Sequence, residues 1–169
     1  MKREKVYLVD KDDVIIGSKW RNELSDNDCW RVVSIWITDF NQNILIQQRS
    51  LNKKVGPGIW SAACEGTIEL NDIPVDTAVR ELAEEVGLKI KPEDLVATTK
   101  IHYKDPQFGW RIKYGYTLVI DHMDESKFKL QEEEVSQVKW MTKKELDEFH
   151  SKSPRKFPLY GQYKTLKFY

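Results

Sequence analysis

The chain has 169 residues, 40% of them hydrophobic and 32% charged, the profile of a single globular domain slightly rich in charge. Lysine plus arginine and aspartate plus glutamate number 27 each. No bulk field therefore draws the chain to a nucleic acid polymer or an anionic membrane, and an anionic substrate needs a local device such as a bound cation or an aimed arginine. The two cysteines, Cys29 and Cys64, form no C-x-x-C pair, which excludes a cysteine metal framework and leaves reduced thiols in a reducing cytosol as the expectation.

The basic start of the chain meets acids before any apolar run of signal-peptide length, and no stretch approaches the roughly 18 apolar residues of a membrane span. A cytoplasmic location is expected. Val6–Val9 and Val14–Ile16, separated by Asp10–Asp13, read as a hairpin. Trp30–Thr38 is β-branched and aromatic, as befits a central strand. Asp39–Asn43 is a turn, Ile44–Gln48 the partner strand, Asn52–Gly58 a loop, and Trp60–Ile68 an extended stretch. Pro74 fits the first turn of a helix that runs to about Val86 and stops at Gly87. Its apolar stripe is Val75, Ala78, Val79, Leu82 and Val86, spaced by three and four. Leu95–Tyr103, Lys113–Asp121 and Val135–Met141 read as strands, with Phe108 and Trp110 in a loop between the first two. Thr142, with Glu145 three residues on, forms the capping box of a last helix. No repeat or linker divides the chain, so one α/β domain over 1–169 is expected: a hairpin extension at 1–29, a core at 30–149, and a tail at 150–169 packed on it.

The chemistry sits on the first helix. Glu81, Glu84 and Glu85 lie at i, i+3 and i+4 and share one face, where like charges repel. A hard cation, Mg²⁺ or Mn²⁺, relieves that repulsion through carboxylate oxygens. A solvated acidic face is the alternative that E-x-x-E-E alone would leave. The flanking residues narrow the choice. Gly66, Arg80, Glu81, Leu82, Glu84, Glu85, Gly87 and Leu88 match eight of the nine defined positions of G-x5-E-x7-R-E-U-x-E-E-x-G-U, with Asp72 replacing the first glutamate. The segment resembles the Nudix box.

That resemblance implies an α/β/α sandwich with a mixed sheet, and cation-assisted attack of water on a diphosphate. By position it implies Glu84 and Glu85 as metal ligands and Glu81 as ligand or base. It also implies Arg80 as the residue that orients the glutamates, and the backbone carbonyl of Glu65 as a further ligand. Whether the Glu65 side chain also points into the site is open, because strand phase is not fixed by sequence. Glu134, and after it Glu132, stand where many members of the family place a further ligand or base. Arg49, helped by Lys53 and Lys54, is a candidate for a substrate phosphate, and Phe108 and Trp110 for stacking on a ring. The expected partner is a small-molecule diphosphate, with a homodimer left open.

Trp30–Thr38 and Leu45–Arg49 resemble the isopentenyl-diphosphate isomerase branch. That chemistry needs a cysteine where Glu65 stands and a histidine where Thr67 stands. Cys64, one residue away, then points to the opposite face and reads as a small core residue. The expected function is hydrolysis of a nucleoside diphosphate or nucleoside diphosphate–X compound. An isomerase-like enzyme and a non-catalytic binding module are the alternatives.

Overall fold

In the computed structural model, residues 4–105 and 109–157 are described. Strands β1 (Lys5–Val9) and β2 (Ile15–Trp20) form the N-terminal hairpin. β3 (Cys29–Asp39) is the spine, 11 residues long. β4 (Ile44–Arg49) turns back on it, and the chain continues through β5 (Trp60–Ala62), β6 (Cys64–Thr67) and helix α1 (Pro74–Glu85). β7 (Val96–Asp105), β8 (Gly109–Ile120), β9 (Val135–Met141) and helix α2 (Lys143–Lys152) complete the described elements.

The sheet is mixed. β3 runs parallel to β8 along its whole length and antiparallel to β1, β4 and β6, while β7 pairs antiparallel with β8. β4 carries β5 and β9 on either side, both antiparallel. The stretch expected to be continuous from Trp60 breaks at Ala63. Its first part pairs with β4 and its second with β3, so one segment joins two groups of strands.

Alternation along β3 sorts the core into two layers. Val33, Ile35 and Ile37 pack with Leu45, Ala78, Leu82 and Val86 under α1. Trp36 points the other way and packs with Ile44, Ile46, Trp60, Met141 and Leu146 under α2. These two layers around the sheet are the α/β/α sandwich expected. α1 ends ahead of Gly87 at φ 74°, and α2 carries the full capping box, with Glu145 N–H on Thr142 Oγ1 at 3.2 Å and Thr142 N–H on Glu145 Oε2 at 2.8 Å.

One boundary corrects the sequence reading. Trp110 lies not in a loop but in β8, opposite Cys29, because β8 follows β3 from its first residue to its last. Phe108 falls outside the described residues. Of the C-terminal tail, Phe157 is fully buried against Trp36 and Phe149, and residues 158–169 lie outside the described range.

Asp13, in the hairpin turn, binds the N-terminal strands to the sheet. Its side chain, 6% exposed, meets Arg31 Nε at 2.6 Å and Lys100 Nζ at 2.6 Å, and accepts from the Tyr114 hydroxyl. Burial pushes this carboxyl up, but hydrogen bonds from Lys100, Tyr114 and Arg31 outweigh burial and hold it below its ordinary value. Asp13→Ala leaves Arg31 and Tyr114 short of a partner. It is expected to lower stability by about 2 kcal/mol, read as a shift of the urea midpoint at unchanged m-value.

Candidate active site

α1 crosses the sheet so that its three glutamates meet different surroundings. Glu85 is 5% exposed and lies against the core. The Cys64 thiol donates to Glu85 Oε2 at 3.0 Å and the Gln47 amide to the same oxygen at 3.3 Å; the Glu65 backbone N–H is a further donor to this carboxylate. Burial pushes Glu85 up to about 7, against the pull of the Cys64 and Gln47 hydrogen bonds and with help from nearby Glu134. Glu81 is also pushed up to about 7, by burial first, with Arg80 opposing and the charges of Glu85 and Glu84 adding to it. The Glu84 side chain is 54% exposed.

The Arg80 guanidinium ties the outer part of this face together. Its Nη1 lies 2.9 Å from Glu81 Oε1 and 3.2 Å from Glu84 Oε2. Its Nη2 reaches Asp72 at only 3.8 Å, too long for a hydrogen bond, and is otherwise a buried donor without a partner. The missing methylene at Asp72 accounts for the gap. Gly66 belongs to the same arrangement. A Cβ there would sit 2.3 Å from Glu81 Cγ, so the glutamate can lie across β6 only because residue 66 has no side chain.

Strand phase answers the open question at Glu65. Cys64 pairs with Ile35 and Glu65 with Ser34. Cys64 therefore faces α1, fully buried, and the Glu65 side chain faces the opposite side of the sheet, where its carboxylate meets Lys113 Nζ at 2.8 Å. The Glu65 peptide and the Glu65 side chain thus serve two different faces. Burial, with the Glu85 charge behind it, pushes the Cys64 thiol well up.

At the end of β4, Gln47 and Arg49 point towards the α1 side, and the Glu134 backbone carbonyl accepts from Ser50 N at 2.8 Å. Glu134 is held by Lys53, 2.7 Å away. Arg49 Nε donates to the Val55 carbonyl at 3.0 Å, which ties it to its own loop. Trp110 stacks on His102 at 4.7 Å between centroids. It stands five residues along β8 from Gly115, the β8 neighbour of Ser34, so it is roughly 16 Å along the strand from the rung of Glu65. The structure therefore gathers Arg80, Glu81, Glu84, Glu85 and the Glu65 backbone, sets Glu134, Lys53 and Arg49 at one end, and leaves Trp110 apart. Gln47 and Cys64 are additions that the sequence reading missed. They lie 38 and 21 residues from Glu85, and no local pattern marks them.

Among the described residues, no three acid, imidazole or thiol groups converge as they stand into a ready chelate, since Arg80 lies between Glu81 and Glu84. The donor set nonetheless fits a hard divalent cation. It offers carboxylates on one helix face, two of them held near neutrality by burial, and a buried Gln47 Oε1 without a hydrogen-bond partner.

Comparison with known proteins agrees with this geometry. The model of the NUDIX domain family matches residues 30–162. An isopentenyl-diphosphate Delta-isomerase of Streptomyces griseus is 28% identical over 149 residues, covering 87% of this chain and 75% of that protein. Nudix hydrolase 3 of Arabidopsis thaliana is 34% identical over 161 residues, covering 88% of this chain but 21% of that longer protein. Among solved structures, DR0079 of Deinococcus radiodurans superposes with a TM-score of 0.72 at 19% identity, covering 89% of this chain and 90% of that one. The chain belongs to the Nudix family, as an enzyme of the class that hydrolyses diphosphate, or acid anhydride, bonds. Among the described residues no helix is long and apolar enough to cross a membrane.

Proposed function

We propose that this chain is a Mg²⁺- or Mn²⁺-dependent hydrolase of the diphosphate linkage in a nucleoside diphosphate or nucleoside diphosphate–X compound. The observation that carries the reading is Glu85. A carboxylate 5% exposed and pushed up to about 7 is a costly residue, and the cost has a purpose where a cation is to share the site. Glu81, Glu84, Glu85 and the Glu65 carbonyl would hold that cation. Its chemistry is to polarise a phosphoryl oxygen and to lower the pKa of the attacking water.

In this reading the chain's own groups do the rest. Arg80 spaces Glu81 and Glu84. Cys64 and Gln47 fix the orientation of Glu85 through one of its oxygens. Lys53 neutralises Glu134 in the free protein. A substrate phosphate draws Lys53 to itself and releases Glu134 to take the proton from water, with Glu81 as the second candidate base. Arg49 adds a donor fork beside Lys53, and Trp110 is left to serve the far end of an extended substrate.

The isomerase reading is favoured by one finding, the names of several relatives. It requires a thiol facing the substrate, and Cys64 is fully buried beneath α1 with its proton directed at Glu85. A panel of nucleoside diphosphates, nucleoside diphosphate sugars and isopentenyl diphosphate, incubated with Mg²⁺ or Mn²⁺ and analysed by mass, tests the proposal. Cleavage products are expected from the nucleotides, abolished by EDTA and restored by either metal, with isopentenyl diphosphate unchanged. Full turnover in chelator, or isomerisation of isopentenyl diphosphate, would overturn it.

A further inference from the structure

Arg80 already takes up oxygens that the carboxylate face has to offer. Its Nη1 lies 2.9 Å from Glu81 Oε1 and 3.2 Å from Glu84 Oε2, so one guanidinium is the counter-cation of two of the three helix carboxylates. A second cation cannot take those oxygens as ligands without meeting that guanidinium, charge against charge. The other terminal nitrogen, Nη2, is buried without a hydrogen-bond partner and stops 3.8 Å from Asp72 Oδ2. Burial works against the guanidinium charge, and the charges of Glu81, Glu84, Glu69 and Asp72 together outweigh it. Arg80 therefore stands between two acidic neighbourhoods and is bonded to only one of them.

The second neighbourhood is held in place. The Asp72 N–H donates to the Glu69 carbonyl at 3.1 Å, closing a turn in which Asn71 has φ 70°. The Tyr7 hydroxyl donates to Asn71 Oδ1 at 2.8 Å and the Leu70 N–H to the Lys5 carbonyl at 2.7 Å, which fastens the turn to β1. The side chains of Arg80, Asp72 and Glu84 are 31%, 38% and 54% exposed, so this corner is open to ions from solvent. We propose that Arg80 is a displaceable counter-cation: when a divalent cation takes Glu81 and Glu84, the guanidinium shifts onto Asp72, and this exchange sets the affinity of the face for metal. The proposal rests on the metal-dependent reading above. Nη2 has to close by only about 1 Å to reach hydrogen-bond distance, and the fork of a guanidinium holds a carboxylate on either nitrogen. Asp72 is then a positioning residue that acts through Arg80. A cation drives such an exchange by its preference for one of the two states, so removing the competitor and removing its second partner shift the affinity in opposite directions.

The test is a double-mutant cycle read by calorimetric titration of the full chain, stripped of metal, with Mg²⁺ and with Mn²⁺ at pH 8. Arg80→Gln removes the competing charge and is expected to tighten Kd about tenfold, even though the loss of its ion pairs lowers the thermal midpoint without metal. Asp72→Asn removes the second partner and is expected to weaken Kd about fivefold. In the Arg80→Gln background Asp72→Asn is expected to change Kd by less than about twofold, because no guanidinium is left for residue 72 to receive. An arginine that merely orients the glutamates would give weaker binding in Arg80→Gln. An Asp72 that acts on the cation through its own field would weaken binding equally in both backgrounds. Either result, or an unaltered Kd in Asp72→Asn alone, overturns the exchange and leaves the metal-dependent reading standing. If Arg80→Gln does not fold, Arg80→Lys serves as the second background: it keeps the charge but has no second nitrogen to hold Asp72, and the effect of Asp72→Asn is again expected to vanish. Failure of the wild type to bind either metal would remove both readings.

Discussion

Glu85→Gln is expected to lower kcat/KM by about a hundredfold or more at saturating Mg²⁺, a loss of roughly 3 kcal/mol of transition-state stabilisation, while the folded protein becomes more stable at neutral pH. The two effects have one cause. Glu85 is the most buried of the three glutamates, and its negative charge is what a cation would meet at the bottom of the face. Glutamine is nearly isosteric, so the contacts with Cys64 and Gln47 can be remade around a neutral group. The charge is lost and the fold is spared its desolvation. Turnover and thermal midpoint measured on the same preparation check the pair of outcomes. Wild-type turnover in Glu85→Gln would mean that the face holds no catalytic cation. A destabilised variant would mean that Glu85 is ionised by interactions stronger than its burial.

The helix that carries this site was legible because its information is local. Spacing by three and four sets the apolar stripe and the carboxylate face, and Pro74 and Gly87 set the ends, all within one window. The capping box at Thr142 and Glu145 is equally local. What sequence could not rank is which glutamate is buried. Glu85 rather than Glu84 faces inward because of how α1 rolls on β6, and that depends on Gly66 leaving room for Glu81. The phase of β6 was open for a similar reason. A strand reverses its faces with a shift of one residue, and the pairing of Cys64 with Ile35 settles it across 29 residues of chain. The alternation in β8, Trp110, Ile112 and Tyr114 against Arg111 and Lys113, was present in the sequence as a period-two signal. Gly109 beside Trp110 is by composition a loop residue, which masks the first residues of the strand and with them the alternation that buries Arg111 and Lys113 on the far face.

Without metal, the protein is expected to be more stable near pH 5 than near pH 8, and saturating Mg²⁺ is expected to remove most of the difference. Glu85 has a folded pKa of about 7 against 4.5 in the unfolded chain, so the fold binds its proton more tightly than the unfolded state does. Below pH 4.5 both states are protonated and burial costs nothing on this account. Between pH 4.5 and 7 the unfolded state ionises first and stability falls as pH rises; above pH 7 the cost is complete, about 3 kcal/mol. Glu81 shifts in the same direction, and because the two charges interact their costs are not summed. The aspartates Asp13, Asp28 and Asp39 are held below 3.8. Their stabilisation is present above 3.8 and is lost as pH falls through their folded values, outside this window. For a chain of this size the difference corresponds to roughly 6–12 °C in thermal midpoint. A cation that binds the folded state alone adds stability in proportion to the logarithm of its concentration over Kd, and it binds best where the carboxylates are ionised. Magnesium is therefore expected to raise the midpoint strongly at pH 8 and little at pH 5. A midpoint that rises from pH 5 to pH 8 without metal, or a magnesium effect equal at both, would show that these two carboxylates are not the seat of a shared cation.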